Sequence, residues 1–429
     1  MTWSGNQTRV FLDVIFVVSL VASVYFGPLA AALLLLLTAL HFVMRLVSQD
    51  SVGFGMASPL AQSHPKDVRL SGFMISQLFL SMALVTLLFP KPEDFEFYQS
   101  FYTTGFWLTS GFAILLIFVR LATMQELAAL FRSTAPIVLS VCFAFLSFEK
   151  LSLLVSDGGC RIDGLHPLVF TPAVLFAGFS LLLFAFWPVA SKRERVMYLV
   201  LLAMALAVAH GYTGSRFVAI VLAVNTASLA ILFVMREKSW FWALAVVAAA
   251  IFGAAASYGL DSLVGCNLLS RAAETTTVIN QDVSSISDGS VSLRRMMLGI
   301  GLSDSFDVFW TGSGIWSEAH SLFSHGLRQD HYHNQYLSWM KWGGIGALLS
   351  GFVFLGAIIP VLFHVKPSWK RDVICVAVLT HLPLNLMAFT WMRLEGFMLF
   401  HALMTILGLA ILLEPTERKY PVLARLRQA

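Results

Sequence analysis

The sequence predicts an all-α, polytopic membrane protein: a bundle of about twelve transmembrane helices with one long, partly helical external loop. Three observations carry that prediction. Hydrophobic types make up 58% of the 429 residues and charged types only 12%, roughly half the charged share of an ordinary soluble domain, and mean hydropathy is +0.79. Apolar segments long enough to span a bilayer, ~20 residues each, recur along most of the chain. The basic residues concentrate in alternate links between those segments. This composition excludes a water-soluble globular enzyme, a disordered chain and a disulfide scaffold. The net charge of +4 does not signal nucleic acid; in a membrane protein basic residues mostly set orientation.

The first segment, 10–26, follows Arg9, and Gly27-Pro28 leads straight into the second, 28–47. That pattern does not fit a cleavable signal peptide. A basic link with Lys66 and Arg69 precedes the third, 71–89. The acidic link around Lys91, Glu93, Asp94 and Glu96, beside Tyr98, Phe101 and Tyr102, precedes the fourth, 104–121. Arg120 and Arg132 lie in or beside the link before the fifth, 134–155, and the sixth is 167–190. Lys192, Arg193 and Arg195 lead into the short seventh, 196–210, and a tight Thr213-Gly214-Ser215-Arg216 turn into the eighth, 217–235. Arg236 and Lys238 precede the ninth, 240–258. After the long loop come 342–363, 372–391 and 396–413, with Lys366, Lys370 and Arg371 in the first link.

With both termini cytoplasmic, 18 of the 28 Lys and Arg residues fall inside and 8 outside, Lys150 and Lys341 lying in or beside spans. That bias obeys the positive-inside rule. The chain divides into 1–258 with nine spans, an external loop 259–332, and 333–429 with three spans and a cytoplasmic tail. Within the loop, 292–306 reads as an interfacial helix with Leu293, Met296, Met297 and Ile300 on one side. Trp310-Thr311-Gly312-Ser313-Gly314 reads as a turn. Cys142 and Cys375 fall inside spans as packing residues. Cys160 and Cys266 both fall outside, where an oxidising periplasm permits a disulfide between them; the alternative is two unrelated small residues.

Charges at a membrane edge mark function by default. Arg216 starts a helix on the external side, where free backbone N–H groups favour an anion. It either holds an anion together with those groups or snorkels to the interface. Arg294 and Arg295 on the interfacial helix bind phosphate or anchor to headgroups; neighbours on a helix point ~100° apart, so one of the two faces a site. His331-Tyr332-His333-Asn334 precedes the tenth span, and Gly343-Gly344-Ile345-Gly346 follows three turns later, where small residues let helices approach. A histidine here is a candidate general base. His320, His325, His331 and His333 cluster, but their spacing matches no standard zinc motif.

The Ser215-Arg216 turn, the long external loop with an arginine-bearing helix, the Gly312-x-Gly314 turn, and His333-Asn334 leading to Gly343-x-x-Gly346 resemble the bacterial O-antigen ligase and O-antigen polymerase superfamily, ligases most of all. The resemblance covers 211–346 in motifs and the whole chain in topology. It implies a GT-C-like fold in the bacterial inner membrane, with its active site on the periplasmic face. It implies transfer of glycan from undecaprenyl diphosphate to a sugar hydroxyl of lipid A–core, without metal or cofactor. Carried over residue by residue, it implies that His333 is the acceptor-activating base and that Arg216 and Arg295 bind diphosphate. Ser215, Asn334 and Arg328 join the substrate-binding set, Arg294 competes with Arg295, and His331 competes with His333. Fixed guanidiniums can hold a diphosphate leaving group without Mg²⁺, and direct attack at the anomeric carbon inverts it. A polymerase joining repeat units is the second reading within the family. A transporter of lipid-linked substrate is the reading from another class; it predicts repeats and midplane charges, whereas here the charges gather at the external edge.

Overall fold

The computed structural model describes residues 65–88, 107–108, 110–111, 114–115, 121–155, 176–209, 216–263, 289–315, 317–327, 332, 334–379 and 394–414. Among these residues every regular element is helical and there is no strand. The elements are α1 (Pro65–Leu88), α2 (Leu121–Val155), the 3₁₀ turn Phe184–Val189, α3 (Lys192–Ala207), α4 (Arg216–Arg236), α5 (Trp240–Leu263), α6 (Gly289–Asp307), α7 (Ser317–Ser324), α8 (Gln335–Leu355), α9 (Ile359–His364), α10 (Trp369–Leu379) and α11 (Leu394–Leu413). The segments 10–26 and 28–47, the acidic link at 91–96, and Cys160 and Cys266 with the disulfide drawn between them lie outside the described residues.

Three stretches among the described residues are long and apolar enough to cross a membrane: Lys66–Leu88, Leu127–Ser152 and Gln335–His364. Shorter apolar helices are Phe176–Val189, Val221–Arg236, Trp240–Ala256 and Phe400–Leu413. Large apolar side chains are exposed on their outer sides, including Phe73, Leu84 and Leu87 on α1, Ile137 and Phe148 on α2, and Phe241, Leu244 and Phe252 on α5. Helices that are apolar both inward and outward are suited to lipid rather than water.

Local signals set the helix starts. Pro65 opens α1, where a missing N–H is harmless. Ser191 caps α3: its hydroxyl accepts from the Glu194 N–H while the Glu194 carboxylate accepts from the Ser191 N–H, the reciprocal arrangement that an S-x-x-E sequence encodes. α3 and α5 pack at backbone distance, since a Cβ on Gly253 would lie 2.2 Å from the Ala203 carbonyl oxygen. Such contacts need small residues on the facing helix.

One end of the bundle is tied by charge and aromatic contacts. Arg132 donates to Glu194 at 2.9 Å, Arg236 to Asp372 at 2.6 Å and Lys370 to Glu414 at 3.4 Å. Arg132 and Lys370 both sit over the ring of Phe186. The indole of Trp369 donates to the Phe184 carbonyl at 2.6 Å, Trp187 meets Phe233 and Trp242 edge to face, and Phe233 lies tilted against Trp369. His364 reaches Asp67 at 3.2 Å. Burial pushes the Glu194 carboxyl up, but the Ser191 hydrogen bonds and the Arg132 charge outweigh it and hold the group below the usual carboxylate range.

The tenth predicted span is not a straight helix. α8 breaks at Gly343 (φ −135°, ψ 22°) and Gly344 (φ 62°, ψ −156°). The bend is sharp enough to stack the Tyr336 ring on the Phe352 ring, centroids 5.4 Å apart; in a continuous helix residues 16 apart lie ~24 Å apart along the axis. Trp339 likewise lies against Gly351. The arm 345–355 runs antiparallel to α1, with Gly343 beside Val85 and the Ser350 carbonyl accepting from Gln77 at 2.7 Å. The shorter arm, 335–342, turns back from the α1 Leu88 end of that pair.

The orphaned backbone groups of the break are met by the Trp310–Gly314 turn. Ser313 N–H donates to the Lys341 carbonyl at 2.6 Å and Gly314 N–H to the Trp342 carbonyl at 2.9 Å, while Ile345 N–H donates to the Phe309 carbonyl at 2.8 Å. Broken-helix groups in lipid must find such partners. The turn fits because Gly312 (φ 72°) and Gly314 (φ 91°) take left-handed backbone, and a Cβ on Gly312 would lie 2.4 Å from the Trp342 carbonyl oxygen. This corrects the expectation for the glycine cluster. Gly343 does meet a neighbouring helix, but Gly344 serves the break, and a Cβ on Gly346 meets nothing within 4 Å.

A sharp contrast between two neighbouring glycines follows. Gly344→Ala is destabilising by about 1–3 kcal/mol from backbone conformation alone, and its Cβ would also press on the Phe309 carbonyl, 2.7 Å away. Gly346→Ala is neutral or stabilising, because alanine is the better helix former. Thermal unfolding of the two purified variants in detergent checks this; equal melting temperatures would contradict the role given to the break.

Candidate functional site

The site is built where α6 and α7 meet the short arm of α8. α6 follows the predicted interfacial helix 292–306 closely, extending it to Gly289–Asp307. Met297 is fully buried, Leu293 and Ile300 are half-buried, and all three pack with Leu322, Tyr332 and Leu337. Met296 is a correction: it is 50% exposed. Positions 293, 297 and 300 share one face at helical spacing, and 296 is turned ~100° from 297. Gly301 lets α6 approach, since a Cβ there would lie 2.9 Å from the Tyr332 ring. The outer side of α6 carries exposed Leu298, Leu302 and Phe306, continued by Trp310 beyond the helix end, an apolar surface suited to the membrane interface.

Asp304 is the hub of this unit. Its carboxylate accepts from the Ser321 hydroxyl of α7 and from the Tyr332 hydroxyl, and it pairs with Lys341 of α8 at 3.5 Å. One side chain thereby joins three segments of the chain. Burial pushes the Asp304 carboxyl up; the two hydroxyl donors and the Lys341 charge outweigh it and hold the group below the usual carboxylate range. The Tyr332 hydroxyl is pushed far above its usual range, by burial first and by the Asp304 carboxylate second.

Because the folded Asp304 carboxyl has the depressed pKa, its stabilisation is present above the unfolded value of about 3.9 and is lost as pH falls through the folded value. Acidification therefore loosens this unit, and Asp304→Asn removes that part of the acid response. At neutral pH the same substitution destabilises by roughly 1–3 kcal/mol, the range for hydrogen bonds to a charged group. Melting temperatures across pH, compared between the two proteins, read both effects; parallel curves would contradict the hub.

A second polar group lies one layer in. Glu318 is 3% exposed, and the Ser338 hydroxyl donates to it at 3.2 Å. Gln335, Ser338, Trp339 and Trp342 lie on one face of the short arm and are all buried. Asn334 caps that arm, its side-chain oxygen accepting from the Tyr336 and Leu337 N–H groups at 3.1 and 3.2 Å. Its oxygen is committed to the cap, so Asn334 acts here as a structural residue with only its amide nitrogen left to meet a ligand.

Of the other residues singled out in the sequence, Arg294 and Arg295 are both exposed on α6, Arg295 opposite the packed face and Arg294 on its flank. α4 begins at Arg216 as expected, but the Arg216 side chain, together with Ser215, Arg328, His331 and His333, lies outside the described residues. The sequence reading missed Asp304, Glu318 and Gln335. The available signal was a carboxylate in each of two short helices bordering an apolar span, beside Lys341 at the span's edge.

Chemically, the unit ties the long loop to the short arm of α8, carries two exposed guanidiniums, and gathers buried carboxylate, amide and hydroxyl groups between α7 and that arm. No protein-family model and no curated protein matches the chain.

Proposed function

We propose that the chain is a metal-independent, inverting glycosyltransferase of the O-antigen ligase type. In this reading a GT-C-like bundle of about twelve spans sits in the bacterial inner membrane with both termini cytoplasmic. It transfers glycan from undecaprenyl diphosphate to a lipid A–core hydroxyl at the periplasmic face. His333 takes the hydroxyl proton, and Arg216 and Arg295 bind the diphosphate.

The observation that carries the reading is the packing of α6 against Tyr332 and Leu337. It joins the arginine-bearing helix to Tyr332 and to the start of α8, which supports a reading in which the donor-binding arginine and the base act at one end of the bundle. The charge pairs support the orientation. Asp67–His364, Arg132–Glu194, Arg236–Asp372 and Lys370–Glu414 each join segments assigned to the cytoplasmic side, and Asp304–Lys341 joins segments assigned to the external side.

The test is complementation of ligase-null and polymerase-null strains, read on the lipopolysaccharide ladder. Restored attachment of O-antigen in the ligase-null strain supports the reading. Rescue of the polymerase-null strain instead would replace it with repeat-unit polymerisation, and rescue of neither would remove it.

A further inference from the structure

We propose that the buried face of the short α8 arm, Gln335 with Ser338 and the facing Glu318, is the subsite for the acceptor sugar's hydroxyl groups. The inference rests on the transferase reading above and adds which residues would hold the acceptor.

Gln335 is 1% exposed, and among the described residues neither its amide nitrogen nor its amide oxygen has a hydrogen-bond partner. The indole nitrogens of Trp339 and Trp342 on the same face are also without one. Buried polar groups are normally paired, and an unpaired one is destabilising. A full amide left so in a capped first helical turn calls for a partner from outside the protein. Positions 335, 338 and 342 recur at helical spacing, and Ser338, one turn on from Gln335, donates to Glu318.

The mixture of groups selects the ligand. A diphosphate is acceptor-only and would face the Glu318 carboxylate; Lys341, the cation on this arm, is already engaged by Asp304. A metal cation would use the oxygens and leave the Gln335 N–H₂ and the indole N–H groups unmatched. Hydroxyl groups both donate and accept, so a polyol satisfies the amide, the indoles and the carboxylate together. Aromatic side chains beside amide and carboxylate are a combination suited to a sugar ring, whose faces are apolar and whose edges are hydroxylated. The short arm begins directly after His333-Asn334, so a sugar held here lies at the segment proposed to carry the base. Arg295 is exposed on the side of α6 opposite the packed face, which separates donor and acceptor recognition onto different groups.

The test uses the purified full-length protein in detergent and, as probe, the oligosaccharide released from lipid A–core by mild acid. Binding is read by saturation-transfer NMR, and transfer kinetics are measured on the same preparation. Gln335→Met keeps the side-chain volume and removes the amide. It is expected to weaken oligosaccharide binding about 10-fold, the loss of one or two hydrogen bonds, and to raise acceptor KM alike while donor KM stays unchanged. Its melting temperature is expected to hold or rise, because an unmatched buried amide is gone. A core role for Gln335 would leave binding and both KM values unchanged, and that result overturns the subsite while the transferase reading stands. Ser338→Ala serves as the second variant should Gln335→Met fail to fold, with the same expected loss. An ordered water only, with no oligosaccharide bound by the wild type, also overturns it. Absence of transfer to any sugar acceptor by the wild type removes the function and the subsite together.

Discussion

Replacing His333 by alanine lowers glycan transfer about 10²–10⁴-fold, the range for loss of a general base, while the protein inserts and melts as the wild type does. In the proposed reaction the leaving group is a stabilised diphosphate, so the step that needs help is removal of the proton from a sugar hydroxyl, which is far less acidic than an imidazolium. A neutral imidazole, whose ring nitrogen carries a free lone pair, is the group suited to accept it. His333 is bracketed by two positioned residues: Tyr332, held by Asp304, and Asn334, the cap of α8. His331→Ala has the smaller effect. Equal loss from both histidines would point to a shared role, and restoration by added zinc would identify that role as metal binding.

Arg216→Lys, which keeps the charge, loses most activity, and Arg216→Ala and Arg295→Ala each weaken donor binding while leaving acceptor binding alone. The physical reason is depth. The diphosphate of a polyprenyl donor sits at headgroup level, in surroundings less polar than bulk water, and stays charged there. Its partners must be permanent cations that fork onto two oxygens, which is arginine's chemistry and not lysine's. α4 starts at Arg216, where free N–H groups add to the pull on an anion. Arg295 reaches outward from α6, whose inner face is fixed by Met297. Arg294, its exposed neighbour, is the internal comparison, and its alanine variant is mild. Donor affinity measured with a fluorescent polyprenyl diphosphate separates these outcomes. Affinity unchanged in both Arg216→Ala and Arg295→Ala would leave these residues as interface anchors.

Hydropathy located the straight helices within a few residues. The segments 217–235, 240–258 and 396–413 appear as Arg216–Arg236, Trp240–Leu263 and Leu394–Leu413. Lipid demands continuous apolar runs, so their ends are written in composition. Composition is blind to features that depend on conformation. The sixth predicted span, 167–190, ends in a 3₁₀ turn over Phe184–Val189 containing Pro188, and the residues are apolar on either side of that change. α2 starts at Leu121, well before the predicted 134, because its first turns are amphipathic rather than uniformly apolar. The break in α8 was hidden for the same reason: Gly343 and Gly344 score like any small residues, and only the turn at Gly312–Gly314, some thirty positions earlier, explains them.

The site was partly legible too. The arginine helix follows from periodicity and residue type, whereas Asn334, read from the sequence with the substrate-binding set, caps α8. The Asp304 hub joins Ser321, Tyr332 and Lys341 across separations that no local pattern connects, and Gln335 reads as an ordinary polar residue at a helix start until its burial is known.

The central claim is that this chain moves a glycan from a polyprenyl diphosphate to a lipid A–core hydroxyl. The most direct measurement is transfer by the purified protein, in detergent with a metal chelator present, from an undecaprenyl diphosphate-linked glycan to lipid A–core. The account predicts a glycosylated lipid A–core with inverted anomeric configuration and release of undecaprenyl diphosphate, at a rate unaffected by the chelator. Elongation of the donor glycan with lipid A–core left unmodified would contradict it.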